Sequence, residues 1–205
     1  MNSFPLKDEL PLRWWTPASW AEAVLSEPLA LLSDHAHLEK KAAVNALDLL
    51  TRWPEPNPPE NWVNVMSAVA RDESEHLGVV TRLLARRGGK LAKGNHNAYA
   101  AGLRELLRLG DAIDEVMDRL MISALIEARS CERFAVLALN SKDAELAKLY
   151  KELYASEAGH YRVFVDLARQ LPGPAAVDER WHDMLDAEAK IIQRQTPGPR
   201  IHSGV

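Results

Sequence analysis

With 205 residues, 47% of them hydrophobic and 26% charged, the chain has the size of one domain with a core of its own and excludes two large domains. A formal net charge of -4 excludes a uniformly basic surface, although a local basic face is still allowed. No apolar run approaches the ~18 residues of a membrane span, no charged-then-apolar leader opens the chain, and a single cysteine, Cys131, excludes an internal disulfide or a thiolate-rich metal site, so a cytoplasmic protein is expected. Ala and Leu supply 58 residues while Val, Ile and Thr supply 23, which selects an all-α fold.

Punctuation sets the predicted helices. A segment with Trp14, Trp15 and Trp20 leads into a short helix from about Thr16, and Pro28 opens a long helix that runs to Trp53. The run Pro54-Glu-Pro-Asn-Pro-Pro59 cannot continue it, because proline lacks the amide donor and restricts the residue before it. A second long helix is expected over Glu60 to Arg87, stopping at Gly88-Gly89, and a short inserted helix over Ala98 to Leu109. Gly110-Asp111 opens a third long helix reaching Leu139. Ser141 is read as the N-cap of a fourth, continuous to Leu171 before Pro172-Gly173-Pro174, and a last helix covers Asp178 to Gln195 ahead of a short tail. Four long helices with short connections predict a four-helix bundle, residues 1–205 forming one domain with additional short N-terminal, inserted and C-terminal helices.

Each long helix carries an apolar seam in steps of three and four, and charged residues interrupt all four seams. Glu39 lies between Ala36 and Ala43, Glu73 and His76 between Val69 and Val80, Glu127 between Ala124 and Cys131, and Glu157 and His160 between Leu153 and Phe164. Four carboxylates and two imidazoles therefore point at the core. Buried unpaired carboxylates cost several kcal/mol each, against a total stability of ~5–15 kcal/mol, so the cluster needs compensating charge. Two divalent cations balance four carboxylates, with neutral imidazoles completing the coordination. One Glu from each of two helices plus Glu-x-x-His from each of two others is the ligand set of di-iron and di-manganese carboxylate bundles. One Glu-x-x-His pair carries no weight, since 17 Glu and 7 His in a chain of this length give about 0.6 by chance. The argument rests on recurrence: Glu39 precedes Glu73 by 34 residues and Glu127 precedes Glu157 by 30, whereas a third pair, Glu179 and His182, has no matching seam Glu upstream.

Other polar residues receive plainer readings. Asp72 is a candidate to orient an imidazole ligand from behind. Glu75 and Glu132 fall off the seams and are expected in solvent, His35 and His37 are expected to pack or cap, and Tyr150, Tyr154 and Tyr161 are candidate redox neighbours or, more simply, core aromatics. Arg82, Arg86, Arg87, Lys90 and Lys93, with His96 nearby and Arg104 and Arg108 beyond, form a candidate RNA-phosphate patch.

Carboxylate-rich ligation with imidazole suits iron or manganese, and iron opens oxygen chemistry. The ligand set alone leaves iron oxidation for storage, peroxide reduction and hydroxylation open, although one cysteine excludes a peroxidase with its own thiolate-iron domain. The stretches Asp34-His-Ala-His-Leu-Glu-Lys-Lys-Ala-Ala43, Asp72-Glu-Ser-Glu-His76, Leu125-Ile-Glu-Ala-Arg-Ser-Cys-Glu-Arg-Phe134 and Ser156-Glu-Ala-Gly-His160 resemble those of the bacterial tRNA hydroxylases that oxidise 2-methylthio-isopentenyladenosine next to the anticodon. The resemblance implies a ferritin-like fold and two iron ions on the same six residues, with Glu39 and Glu127 terminal and Glu73 and Glu157 bridging. It implies oxygen-dependent hydroxylation of the isopentenyl group of a tRNA substrate to the ribosylzeatin derivative. Electrons would come from an external donor of reductase or ferredoxin type, because the chain carries no flavin, haem or iron–sulfur motif. A ferritin-like ferroxidase or iron-storage protein is the alternative.

Overall fold

The computed structural model describes residues 9–173 and 176–205; Pro174, part of the stop signal above, lies outside the described residues. The helices are α1 (Ala18–Leu25), α2 (Pro28–Leu49), α3 (Glu60–Arg86), α4 (Ala98–Arg104), α5 (Ala112–Asn140), α6 (Ala144–Glu157), α7 (His160–Ala168) and α8 (Val177–Gln193). The all-α class holds, with no strand among the described residues. No described helix is long and apolar enough to cross a membrane.

Local chemistry explains most boundaries. Pro28 occupies the first turn of α2, where a missing amide costs nothing. α3 ends at Gly88, whose φ of +77° is the left-handed conformation that terminates a helix without a Cβ penalty. Asn97 and Asp111 cap α4 and α5 by accepting from the amides of Ala100 and of Ile113 and Asp114. Two expectations need correction. Asp143, not Ser141, caps α6 by accepting from the amides of Glu145 and Leu146. The expected single fourth helix is two: α6 stops at Glu157 and α7 starts at His160, with Ala158 and Gly159 in a turn. Glycine is a weak helix former, yet both turn residues keep right-handed helical dihedrals, so the side chains on either side stay on one face. Helices expected to reach Trp53 and Leu109 end at Leu49 and Arg104.

α2 packs along α3, α5 packs along α6 and α7, and the two hairpins close on each other to form the ferritin-like bundle. α5 is the axis of the molecule: from Val116 to Leu137 only Arg119 and Ile126 are not buried. Cys131 lies in this stretch as a free, buried thiol. The expectation that Glu132 faces solvent is wrong, because α1, α8 and the C-terminal tail cover the face of α5 that points away from the hairpins. Glu132 accepts from the Thr16 amide (2.8 Å) and hydroxyl (2.7 Å) and from Arg129 (3.1 Å). Arg129 also pairs through two nitrogens with Glu188 on α8, at 2.8 and 2.9 Å, and Arg133 lies 4.0 Å over the Trp20 ring. The tail is equally built in. The Ile201 amide donates to Asp34, His202 bridges Asn97 and Ser130, and Ser203 accepts from Trp20.

Candidate metal centre

The six seam residues meet inside the bundle. Their donor atoms form two overlapping quartets, Glu39, Glu73, His76 and Glu157, and Glu73, Glu127, Glu157 and His160, each with its four atoms within 4.8 Å of one another. The quartets share Glu73 and Glu157. All four carboxylates are buried, and the two imidazole side chains are 12% and 13% exposed, so the histidines form the outer edge of the cluster.

Both imidazoles turn Nδ1 inward. His76 Nδ1 lies 2.5 Å from Glu157 Oε1, and His160 Nδ1 lies 3.2 Å from Glu73 Oε1 and in close contact with Glu157 Oε2. These approaches lack hydrogen-bond direction: His76 Nδ1, His160 Nδ1, Glu73 Oε1 and both Glu157 oxygens are buried without a hydrogen-bond partner. Natural interiors tolerate few such atoms, and five around one point are a set of lone pairs converging on a common space. The outer nitrogen of His76 shares a hydrogen bond with Ser156 Oγ at 3.0 Å, which holds the ring with Nδ1 toward the cluster. Asp72 lies 3.9 Å from His160 Nε2, too far for a direct hydrogen bond, and pairs with Arg71.

Electrostatics give the same reading. Burial and the neighbouring carboxylates, Glu73 foremost, push Glu39 and Glu127 well above the usual carboxylate range. Burial works against protonation of His76 and His160, but Glu157 and Glu73 outweigh it and lift them to about 10 and about 11. Glu73, despite its burial, is drawn down to about 2 by the same two histidines. At neutral pH His76 and His160 therefore hold protons in the cluster, and Glu39 and Glu127 hold theirs more tightly than ordinary carboxyl groups do. The residues present fit two divalent cations, which would take the place of the protons in the cluster.

Sequence reasoning missed His35 as a neighbour of the cluster. It is fully buried, its Nε2 shares a hydrogen bond with Glu39 Oε1 at 2.5 Å, and burial pulls its pKa down to about 3, so the ring is neutral. The i,i+4 spacing of His35 and Glu39 on one helix was the available signal. Glu179 and His182 lie apart from the cluster on α8. Within the basic patch, Arg86 and Arg87 engage acids on α6: Arg87 pairs with Asp143 (2.5 Å) and Glu145 (2.7 Å), and Arg86 with Glu145. Arg82, Lys90 and Lys93 are exposed. Lys90 and Lys93 belong to a loop tied to α2 through His37 and Ala92 (2.8 Å) and through Lys41 and Asn95 (2.6 Å).

Fold and cluster together define a ferritin-like carboxylate–histidine bundle. A model of the tRNA-(MS[2]IO[6]A)-hydroxylase (MiaE) family matches residues 6–203. The tRNA 2-(methylsulfanyl)-N(6)-isopentenyladenosine(37) hydroxylase of Pseudomonas putida is 39% identical over 190 residues, 93% of this chain and 90% of that protein. The Salmonella typhimurium protein of the same name is 32% identical over 143 residues, 70% of this chain and 52% of its own length. Among solved structures, a Synechococcus protein described as having aldehyde deformylating oxygenase activity superposes with a TM-score of 0.84 at 35% identity, covering 94% of this chain and 96% of that one. The chain belongs to the MiaE tRNA hydroxylase family.

Proposed function

We propose that the protein is a tRNA-modifying non-haem di-iron monooxygenase that hydroxylates the isopentenyl group of 2-methylthio-isopentenyladenosine next to the anticodon. The observation that carries this reading is the convergence of six side chains with unpartnered buried donor atoms in a chain of that family. Glu39 and His76 would hold one iron, Glu127 and His160 the other, and Glu73 and Glu157 would bridge them. When bound, such a pair supplies the oxygen activation needed to insert one oxygen atom into a carbon–hydrogen bond.

The protein's own residues prepare the site. His35 holds the Glu39 carboxyl group, Ser156 holds the orientation of the His76 ring, and Asp72 stands behind His160. The apolar seams above and below exclude water. Electrons come from an external donor, and the exposed Arg82, Lys90 and Lys93 offer contacts to tRNA phosphates. Family membership disfavours iron storage as the main activity.

The test is incubation of the iron-loaded protein with reductant, oxygen and tRNA bearing the isopentenyl modification. The expected result is a nucleoside heavier by one oxygen atom, labelled from molecular oxygen. A product without label, or unchanged tRNA alongside rapid mineralisation of excess iron, overturns the reading.

A further inference from the structure

A cleft of about 100 Å³ opens between α2, α4 and α5 and has Glu127 in its lining. Two other cavities, beside the C-terminal tail and beside the 89–96 loop, include no cluster residue. The cleft therefore joins the outside to the metal-facing side of the bundle opposite the two histidines. We propose that this cleft receives the prenylated base of a single-stranded RNA loop, its branched five-carbon chain pointing down to Glu127 and its flanking phosphates meeting Lys41, Arg104 and Arg119. This deepens the function proposed above and rests on it.

The lining is divided by chemistry. Leu38, Ala42, Ile122 and Ile126 make the walls apolar, as a hydrocarbon branch requires, while Lys41, Arg104 and Arg119 supply the positive charge. Arg104 is exposed and has no ion pair among the described residues; Arg119 is held by Glu115 at 2.7 Å, and Lys41 by Asn95. A cation held by neutral Asn95 keeps its charge available to an anion. Size decides which part of the substrate enters. A cavity of ~150 Å³ accommodates benzene, so about 100 Å³ suits a five-carbon branch and excludes a purine ring. The base must then stay at the rim with its branch inserted, which requires it to leave its stack and explains why a single-stranded loop is the matching class of RNA. The loop carrying Lys90 and Lys93 adjoins this rim through the Lys41–Asn95 contact and extends the positive surface.

The experiment measures binding and turnover separately, using anticodon stem-loop RNA with and without the isopentenyl group on adenosine. Metal-loaded wild type, kept without reductant so that no turnover occurs, should bind the prenylated RNA at least about tenfold more tightly than the unmodified one, from burial of the hydrocarbon branch. Ile126→Trp, with Ala42→Phe from the opposite wall as a second variant, should erase that preference while retaining two metals per chain. Lys41→Glu with Arg104→Glu should weaken both RNAs and lower the salt slope by about two. Equal wild-type affinity for the two RNAs, or a preference that survives in both wall variants, overturns the cleft. An unchanged salt slope in the rim variant overturns the phosphate assignment. Intact prenyl preference without any hydroxylation supports the cleft and refutes the activity, whereas full hydroxylation by both wall variants refutes the cleft and keeps the activity.

Discussion

The two sides of α5 hold buried charge in opposite ways. On the side toward α8, Glu132 accepts from Arg129 and Thr16 and Glu188 from Arg129 and Tyr99, so both carboxylates meet donors of the chain at 2.7–3.1 Å, with Arg133 Nε 3.7 Å from Glu132. On the side toward α2, α3 and α6, four carboxylates meet two imidazoles whose inward nitrogens have no hydrogen-bond partner. Both regions are rich in buried acid, and burial alone does not tell them apart. What separates a structural ion network from a cation site is whether the charges are answered from within the chain. The network answers its own, and the cluster borrows protons.

This contrast is broken most forcefully from the network side. Arg129→Met leaves Glu188 buried with Tyr99 as its one side-chain partner among the described residues, and should cost about 3–5 kcal/mol, roughly 10 °C in thermal midpoint, with metal content per folded chain unchanged. Glu157→Gln removes the carboxylate that meets both imidazoles, so it should reduce metal occupancy below two per chain while lowering the metal-free midpoint by less than Arg129→Met does. A large loss of metal-free stability in Glu157→Gln would erase the distinction.

Next in size is the linkage between metal and protons. At a hundredfold excess over its dissociation constant, metal should stabilise the fold by about 2.7 kcal/mol. Loading at neutral pH should release at least the two protons held by His76 and His160. Calorimetry in buffers of different ionisation enthalpy counts them, and release of one proton or none would contradict the borrowed-proton picture. Ser156→Ala should follow with about a tenfold loss of metal affinity, ~1.4 kcal/mol, since only the orientation of His76 is disturbed.

The smallest effect is in pH. Burial first, then the Arg133 and Arg129 charges, hold His202 neutral far below its usual range. The unfolded chain takes up that proton near pH 6.5, so stability from His202 is complete above pH 6.5 and is lost as pH falls beneath it, by under ~1.4 kcal/mol over the first unit. His202→Gln should flatten this acid-side decline. The metal-free cluster has the opposite sign. His76 and His160 keep their protons in the folded state to about 10 and about 11, so their contribution is full below pH 6.5 and is lost as pH rises through those values. Bound metal should abolish the alkaline decline and leave the acid one.

The long helices and the cluster were legible in the sequence because both follow from helical period: a charge every third or fourth position on an apolar seam can only face the core. The other side of α5 was not legible by that rule, which assumes one buried face per helix. Glu132 looked solvated because what covers it is remote in sequence: Thr16 is 116 residues away, and the tail contact of Trp20 with Ser203 spans 183. The break between Glu157 and His160 was signalled only by Gly159. Arg86 and Arg87 read as part of one basic surface, and pairing with Asp143 and Glu145 depends on how α6 lies against α3. The cleft was invisible for a similar reason, since Lys41, Arg104 and Arg119 come from three helices.

Cys131 offers a consequence of a different kind. It is the chain's single thiol, it lies on the central helix between the two charged regions, and burial, followed by the nearby Glu157 and Glu127, pushes its ionisation far upward. A thiol in that state does not react with alkylating reagents until the bundle opens. The rate at which the native protein is labelled is therefore a clock for separation of α5 from α6, readable by mass on unmodified protein. With metal bound the clock should slow, because the ligands on α5 and α6 are then clamped together. With Arg129→Met it should quicken, because the opposite side of the same helix has lost its hold.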